Sequence, residues 1–227
     1  PVNVDGIDND DENEFRASPF INADSNQVII FWSETNTESG ASSDQDIVYS
    51  TSTNDGTSWS DYEDVSEHYY EADSGLPALA NSGDYIYLVY LDNGDNDQIN
   101  DPNGNDADNR DGDIYFQRSD DEGETWEALK VLSLFDEDEE NDLDYTSILL
   151  QYRSDIAATG SYVHVAWIDY DSYNGGYDII YTKSSNYGNS WSDPESISTA
   201  SSPGGVTVAA SGSNIVISWV DFGDVFY

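Results

Sequence analysis

The sequence predicts an all-β protein built from four-stranded antiparallel meanders, the blades of a β-propeller. Three observations support this prediction: short alternating apolar runs, a repeated turn motif that ends in Trp, and a second repeated motif at a constant distance from the first. We expect three complete repeats and a partial fourth, and therefore an incomplete propeller or a fragment of a larger one.

Short runs of Val, Ile, Tyr and Trp recur along the chain and are bounded by Gly, Asn, Asp or Ser. These runs are QVIIFW, YIYLVY, YVHVAW and NIVISW. Alternation with a period of two is typical of a half-buried strand, and the bounding residues are typical of turns. A hydrophobic fraction of 37% is enough for a packed core, so the acidic composition does not imply disorder.

An eight-residue turn motif occurs three times with the pattern Ser-x-Asp/Asn-x-Gly-x-Ser/Thr-Trp. The copies span residues 52–59, 119–126 and 184–191, and their Trp residues lie 67 and 65 positions apart. We expect the Asp or Asn to accept hydrogen bonds from turn amides, the Gly to supply a backbone conformation that other residues resist, and the Trp to bury its ring between strands. The defining residues are Ser52, Asn54, Gly56, Trp59, Ser119, Asp121, Gly123, Trp126, Ser184, Asn186, Gly188 and Trp191.

Two strand motifs repeat in register with the turn motif. An Asp-Ile/Val-x-Tyr/Phe motif begins at Asp46, Asp113, Asp178 and Asp224, and in the first three copies its Asp lies 13 residues before the Trp of the turn motif. Upstream of each copy is an aromatic residue followed two positions later by an acid: Trp32 with Glu34, Tyr90 with Asp92, Trp167 with Asp169, and Trp219 with Asp221. Each unit therefore contains strands A to D, with the turn motif between C and D, and we expect the sequence to stop in mid-repeat.

These motifs resemble the sialidase superfamily, whose blades carry the Asp-box repeat, also called the bacterial neuraminidase repeat. The resemblance extends from Phe15 to Tyr227 and implies propeller blades over residues 15–227, after an acidic N-terminal segment over residues 1–14. It also implies that the Asp box is a structural feature of the C to D turn.

The charge balance is strongly acidic, with 47 Asp and Glu against 6 Lys and Arg and a formal net charge of -41. Nucleic acid is therefore not an expected partner, because phosphate binding needs clustered Lys and Arg. No apolar stretch has the length of a transmembrane helix, and none resembles a signal peptide. The sequence has neither Cys nor Met, so we expect no disulfide or thiolate metal site and a processed or excised chain.

The acidic residues are concentrated in loops that the strand order predicts at one end of the blades. In an up-and-down meander the A to B turns and the turn motifs share one end, and the B to C and D to A loops share the other. The latter loops include residues 5–14, 136–144 and an acidic insertion over 92–112. We therefore expect a concentrated anionic surface at that end.

Calcium is the cation that best suits such loops, because it takes about six to eight oxygen ligands. The segment DPNGNDADNRDGD is similar to calcium-loop chemistry, but Asp106 stands where an EF-hand loop has Gly and no Glu closes the frame. The predicted ligands are Asp101, Asn103, Asn105, Asp106, Asp108, Asp111 and Asp113, with Asp5, Asp8 and Asp10 near the N-terminus and Asp136, Asp138 and Glu140 farther along. An alternative, compatible with the first, is a solvated surface adapted to high salt, as in a halophilic protein.

The resemblance also implies where a catalytic site would lie. Sialidases hold the substrate carboxylate with three arginines, use a Tyr activated by a Glu as nucleophile, and place an Asp acid/base in an early loop. Arg16, in FRASP, resembles the family's Phe/Tyr-Arg-Ile-Pro motif with one extra residue, and Arg153, in YRSDIAATG, starts a comparable strand A. Asp44 or Asp46 lies in the region of the acid/base, whereas LPALA in the second blade has no arginine.

Three functions follow from these observations. We expect a non-catalytic, secreted or cell-surface module with a structural or adhesive role, because acid is abundant and catalytic residues are sparse. A sialidase or other glycoside hydrolase, present here as a fragment, and a carbohydrate-binding module are the alternatives. The expected partners are cations, carbohydrate, or neighbouring protein subunits that cover open blade edges.

Overall fold

The computed structural model describes residues 15–22, 27–36, 44–66, 74–92, 113–133, 153–171 and 176–227. Within these ranges the regular elements are all β-strands, and they form four antiparallel sheets. No helix that could cross a membrane occurs in this part of the chain. The N-terminal segment and most of the acidic loops lie outside the described residues.

Each sheet is a meander in which the strands keep their chain order. The first contains β1 (Phe15–Asn22), β2 (Gln27–Asn36), β3 (Asp44–Ser52) and β4 (Glu63–Asp64), and the second contains β5 (Ser74–Ser82), β6 (Tyr85–Asp92), β7 (Asp113–Ser119) and β8 (Lys130–Val131). The third contains β9 (Ser154–Thr159), β10 (Tyr162–Asp171), β11 (Gly176–Ser184) and β12 (Glu195–Ala200), and the fourth contains β13 (Pro203–Ser211), β14 (Asn214–Asp221) and β15 (Asp224–Phe226). The predicted all-β architecture of repeated meanders is confirmed, with three strands in the fourth sheet.

The hydrophobic core lies between consecutive sheets. Successive side chains of a strand point to opposite faces, and strand β6 has apolar residues on both faces. Tyr87 and Val89 pack against the third sheet, whereas Ile86 and Leu88 pack against the first. A further core cluster fills the space between the third and fourth sheets. The sheets therefore stack face to face as blades do.

The first strands of neighbouring sheets contact one another: β1 lies beside β5, β5 beside β9, and β9 beside β13. Strand A is thus the inner strand of each blade, as expected for a propeller. Three of these inner strands contain a β-bulge near their start, between Phe15 and Ser18, between Gly75 and Ala78, and between Pro203 and Gly205. The extra residue of the FRASP segment is accommodated in the first of these bulges.

Candidate functional site

The paired ends of strands B and C define one end of the sheets, here called the loop end. In the second sheet the last described pair at this end is Asp92 with Asp113, and in the fourth it is Asp221 with Asp224. The three turn motifs follow strand C at its other end, which we call the turn end. The acidic insertion over 92–112 therefore leaves and re-enters the fold at the loop end.

Four pairs of acids face each other across strands B and C at or near the loop end. In every sheet, the acid of the aromatic-x-acid motif is the direct register partner of the Asp that begins the strand C motif. The facing acid pairs are Glu34 with Asp46, Asp92 with Asp113, Asp169 with Asp178, and Asp221 with Asp224. Like charges directly opposite each other destabilise a sheet, so their repetition is unusual for a purely structural feature.

The facing acid pairs are partly buried and accept hydrogen bonds. Glu34 is 7% exposed and accepts a bond from the Trp32 indole at 2.8 Å. Asp92 is fully buried and accepts a bond from the hydroxyl of Ser74. In the fourth sheet, Asp221 accepts the amides of residues 201 and 202 at 3.1 and 2.7 Å.

Of the predicted calcium ligands, only Asp113 lies in the described part of the chain, where it accepts a bond from the hydroxyl of Ser133 at 2.6 Å. The other predicted ligands lie outside it. Among the described residues, no group of three or more His, Cys, Asp or Glu side chains is placed to hold a metal ion. A facing acid pair supplies two carboxylates, so an ion there would need further oxygens from the undescribed loops or from water.

Arg16 and Arg153 both lie near the start of an inner strand, Arg16 within β1 and Arg153 directly before β9. Arg16 lies in the bulge between Phe15 and Ser18, whereas β9 pairs with β10 without a bulge. The two arginines therefore do not hold the same register position. In the intervening blade Leu76 lies in the corresponding bulge of β5, between Gly75 and Ala78. That Arg16 and Arg153 serve one carboxylate-binding site stays a prediction.

The Arg153 side chain is exposed, and within the described residues it makes no hydrogen bond or ion pair. Its Cδ lies 3.5 Å from the position that a Cβ on Gly205 would take, so it extends beside the next inner strand. The structure describes the backbone of Arg16 but not its side chain. Two cationic positions thus start inner strands of the first and third blades.

The two acid/base candidates lie on β3 rather than in a loop. Asp44 begins this strand, and Asp46 is buried in it opposite Glu34. Their role as acid/base stays a prediction.

Arg118 lies at the turn end and is committed to the junction of the second and third sheets. Its guanidinium forms an ion pair with Glu127 at 2.6 Å and donates to Asn189 Oδ1 at 3.0 Å and to the main-chain carbonyl of Tyr187. It also lies over the ring of Tyr85, at 5.4 Å from the centroid. Arg118 is therefore unavailable to a carboxylate-binding site at the loop end.

The three turn motifs have the same internal hydrogen-bond network. In the third copy, Ser184 Oγ accepts the amide of Gly188 at 2.9 Å and donates to Asn186 Oδ1 at 2.9 Å, and that oxygen accepts the amide of Ser190 at 3.0 Å. The first and second copies repeat these bonds within 0.2 Å. The polar side chains of each motif are thus used within the turn, which agrees with a structural role.

The second copy carries Asp121 where the others have Asn. Burial alone would raise the pKa of this carboxyl, but hydrogen bonds from the hydroxyl and amide of Thr125 and from Ser119 hold it below its usual value. Asp121 therefore remains charged while it organises the turn.

The Trp of a turn motif packs onto the preceding sheet. Trp126 is edge-on to Phe31 and Tyr49 of the first sheet, with ring centroids 5.6 and 6.0 Å away. Trp191 is edge-on to Phe116 of the second sheet at 4.8 Å. We predicted burial between strands; the turn instead folds over the sheet edge, and the ring fills the inter-blade space.

Several solved structures share this arrangement of sheets. A Hadza microbial sialidase superposes with a TM-score of 0.59 over 92% of this chain and 42% of its own, at 14% identity. The NanB sialidase from Streptococcus pneumoniae gives 0.56 over 92% and 44%, at 10% identity. The chain has a sialidase-like propeller fold. The leech intramolecular trans-sialidase has the same fold, with a TM-score of 0.54 over 93% and 49% and 11% identity.

A solved structure that is not described as a sialidase is similar to the chain as well. A protein of unknown function from Dyadobacter fermentans gives a TM-score of 0.61 at 15% identity and covers 93% of this chain and 63% of its own. No protein-family profile and no curated protein matches the sequence. The chain spans less than half the length of the three sialidases named above, and at these identities the likeness concerns the fold alone.

Proposed function

We propose that the chain is a non-catalytic sialidase-like propeller module whose loop end binds cations. The observation that supports this most directly is the row of facing acid pairs, one in each sheet. Two carboxylates held opposite each other repel, and a bound cation converts that repulsion into attraction. The repetition of this arrangement in four blades favours a shared property of the surface over a single catalytic centre.

Calcium is the cation we propose, in keeping with the acidic loops that leave the fold beside these pairs. Each pair offers up to four carboxylate oxygens, and the loops add further carboxylates and amide carbonyls toward the about six to eight that calcium takes. Asp92 and Asp113 are the strongest candidates, because they flank the longest acidic insertion. We also propose that the module lies outside the cell, where calcium modules typically bind with affinities of about 0.1 to 1 mM.

The arginines support a non-catalytic role. Arg118 is engaged in an inter-blade junction at the opposite end, and among the described side chains Arg153 is the single arginine near the loop end. A three-arginine carboxylate clamp would need Arg16 and a further residue.

A carbohydrate-binding role is the second candidate, and Arg153 is the observation that favours it. An exposed guanidinium without a partner among the described residues suits recognition of a sugar carboxylate. Sialoside hydrolysis would additionally require a nucleophile and an acid that face this group. The net charge of -41 opposes the approach of an anionic sugar.

Thermal unfolding in calcium separates these functions. We expect calcium to raise the Tm of the chain by about 5 °C or more over NaCl at the same ionic strength. The double substitution Asp92→Asn and Asp113→Asn should reduce this gain. The double substitution Asp120→Asn and Glu124→Gln at the exposed turn end, a matched loss of two charges, should not. An equal response to NaCl and calcium would identify a salt-adapted surface instead.

A second assay tests the carbohydrate candidates. We expect no hydrolysis of a fluorogenic sialoside and no chemical-shift change on addition of sialic acid. Binding that is lost in Arg153→Ala would overturn the non-catalytic, cation-binding proposal in favour of glycan recognition.

A further inference from the structure

The outer strands of the first three sheets differ in length and charge. Strands β4 and β8 have two residues each and contain Glu63, Asp64 and Lys130. Strand β12 (Glu195–Ala200) has six residues, and its one charged residue is Glu195 at the start. Short strands and charged side chains protect sheet edges from pairing with other chains. The outer edges of the first two blades are protected in both ways, whereas that of the third blade is not.

Strand β12 leads into the longest segment of the chain without a charged residue. This charge-free segment extends over 25 residues from Ser196 to Val220, whereas 23% of the whole chain is charged. The next longest uncharged segment, over 156–168, has 13 residues. Two copies of a chain with a net charge of -41 repel each other. The charge-free segment is therefore the region where their close approach is opposed least.

The outer side of β12 is a free strand edge. Its inner side pairs with β11, and no described strand pairs with the outer side. A β-bulge makes Ile197 the extra residue of β12, and the side chain of Ile197 is 39% exposed. Thr199 is exposed as well, and Ser198 Oγ donates to the Thr199 carbonyl at 3.2 Å. The edge therefore presents a row of main-chain N–H and C=O groups, which another extended strand can pair in series.

We propose that β12 is the contact surface of a homodimer, in which two copies pair edge to edge in antiparallel orientation about a two-fold axis. When the pair is centred on Ser198, Glu195 of each copy lies opposite Ser201 of the other, and Ile197 lies opposite Thr199. No acid then faces another acid. A parallel pair in register would instead place the two Glu195 side chains opposite each other, and like charges in that position destabilise a sheet.

The strength of this dimer depends on salt. Screening shortens the reach of the repulsion between the two anionic copies from about 10 Å at 0.1 M salt to about 3 Å at 1 M. A contact of one strand pair is also small beside the about 1,200–2,000 Å² that stable interfaces bury. The dimer therefore forms in concentrated salt and at high protein concentration.

Sedimentation equilibrium in EDTA tests the dimer independently of the cation proposal. We expect the mass of a single chain, 25.1 kDa, at about 0.1 M NaCl. At about 1 M NaCl the mass should rise toward twice that value as the protein concentration increases. Since EDTA removes calcium, a failure of the cation proposal leaves this result unchanged. A chain that stays monomeric in concentrated salt would overturn the dimer.

The double substitution Ile197→Asp and Thr199→Asp places acids directly opposite each other in the proposed pair. We expect it to weaken association in concentrated salt at least about tenfold. The control is Thr207→Asp with Val216→Asp, which adds the same charge at exposed positions of the charge-free segment in the fourth sheet. It should associate as the original chain does. Equal weakening in both variants, or weakening in the control alone, would contradict a contact through β12.

A disulfide cross-link tests the pairing without added charge, because the chain has no cysteine. Directly opposed residues of an antiparallel pair have Cα atoms about 4.5–5.5 Å apart, within the range that a disulfide spans. Ser198→Cys should therefore oxidise to a covalent dimer in concentrated salt. Ser218→Cys, at a half-buried serine of β14, should remain a single chain. Equal cross-linking of the two variants, or none in Ser198→Cys, would overturn the proposed pairing.

Discussion

Gly188 lies so close to Phe116 that a Cβ on it would come within 2.5 Å of Phe116 Cζ. The glycine belongs to the third blade and the ring to the second, so the turn motif is an inter-blade contact as well as a turn. The equivalent Gly56, in the first blade, has only its own Trp59 nearby, at 3.7 Å. The two positions share the same backbone conformation, with φ of +80° and +76°.

We expect Gly188→Ala to destabilise the chain far more than Gly56→Ala. Both substitutions place a side chain in the left-handed region, at a cost of about 1–2 kcal/mol. Gly188→Ala adds overpacking against Phe116, typically about 1–3 kcal/mol more. Urea unfolding of the two variants measures the difference in free energy of unfolding. Equal losses of free energy of unfolding in the two variants would mean that a methyl group at position 188 does not press against Phe116, and would contradict this prediction.

Arg118→Ala should destabilise the junction of the second and third blades by about 2 kcal/mol, because hydrogen bonds from charged groups to two turn residues are lost. Lys183→Ala is the matched control, since it removes the same charge at the equivalent, exposed position. It should change the free energy of unfolding by less than about 0.5 kcal/mol. If both variants lose stability equally, the effect comes from net charge and not from the junction.

Asp155 links the third and fourth blades, since its Oδ2 accepts the amide of Val208 at 2.7 Å. Burial raises the pKa of this carboxyl, although the amides of Val208 and Ile156 oppose the shift. The native state therefore holds the proton more tightly than the unfolded chain, whose Asp has a pKa of about 3.9. This contribution to stability is complete below that pKa and is lost as the pH rises through the native value.

Asp155→Asn keeps the acceptor and removes the titration. We expect its Tm advantage over wild type to grow as the pH rises above about 4, whereas Asp155→Ala should be less stable than both at every pH. Thermal scans between pH 4 and neutrality measure these differences. A Tm difference between wild type and Asp155→Asn that does not change with pH would contradict the raised pKa.

His164 should titrate below its ordinary value. Burial lowers the pKa of its imidazole, and the positive charge of Lys183 lowers it further. In the unfolded chain this histidine has a pKa of about 6.5, which is above its native pKa. The free energy of unfolding therefore decreases as the pH falls from about 6.5 toward the native pKa. NMR titration of the ring protons gives the pKa directly. A value above 6.5 would contradict the buried, neutral imidazole that accepts or donates a bond with Tyr181.

Local patterns predicted the strands and the turn motifs, because both depend on residues close in sequence. Alternation in β6 and the fixed spacing from Asp113 to Trp126 required no knowledge of tertiary contacts. The sheet on which a Trp packs was not predictable in this way. The motif indicates that an aromatic ring packs against other residues, but it does not indicate against which sheet. Only the tertiary structure shows that Trp191 packs onto Phe116 of the second sheet.

The facing acid pairs escaped sequence analysis because the loops between their members differ in length. The acids are 12 positions apart in the first blade and 3 in the fourth, so strand register alone reveals the pairing. The contacts of Arg118 were not predictable from the repeats either, because the equivalent residues in the other two blades are Thr51 and Lys183. The bulge at Arg16 was not predictable either, because only strand pairing shows that Arg16 and Arg153 hold different register positions.

A crystal structure of the chain grown with calcium tests the central claim most directly. We predict a calcium ion at the loop end beside Asp92 and Asp113, with carboxylate oxygens at about 2.3–2.6 Å. Loops without an ion, together with Arg16 and Arg153 converging on one pocket at the centre of the blades, would contradict the cation-binding account and support a carboxylate-binding sialidase-like site.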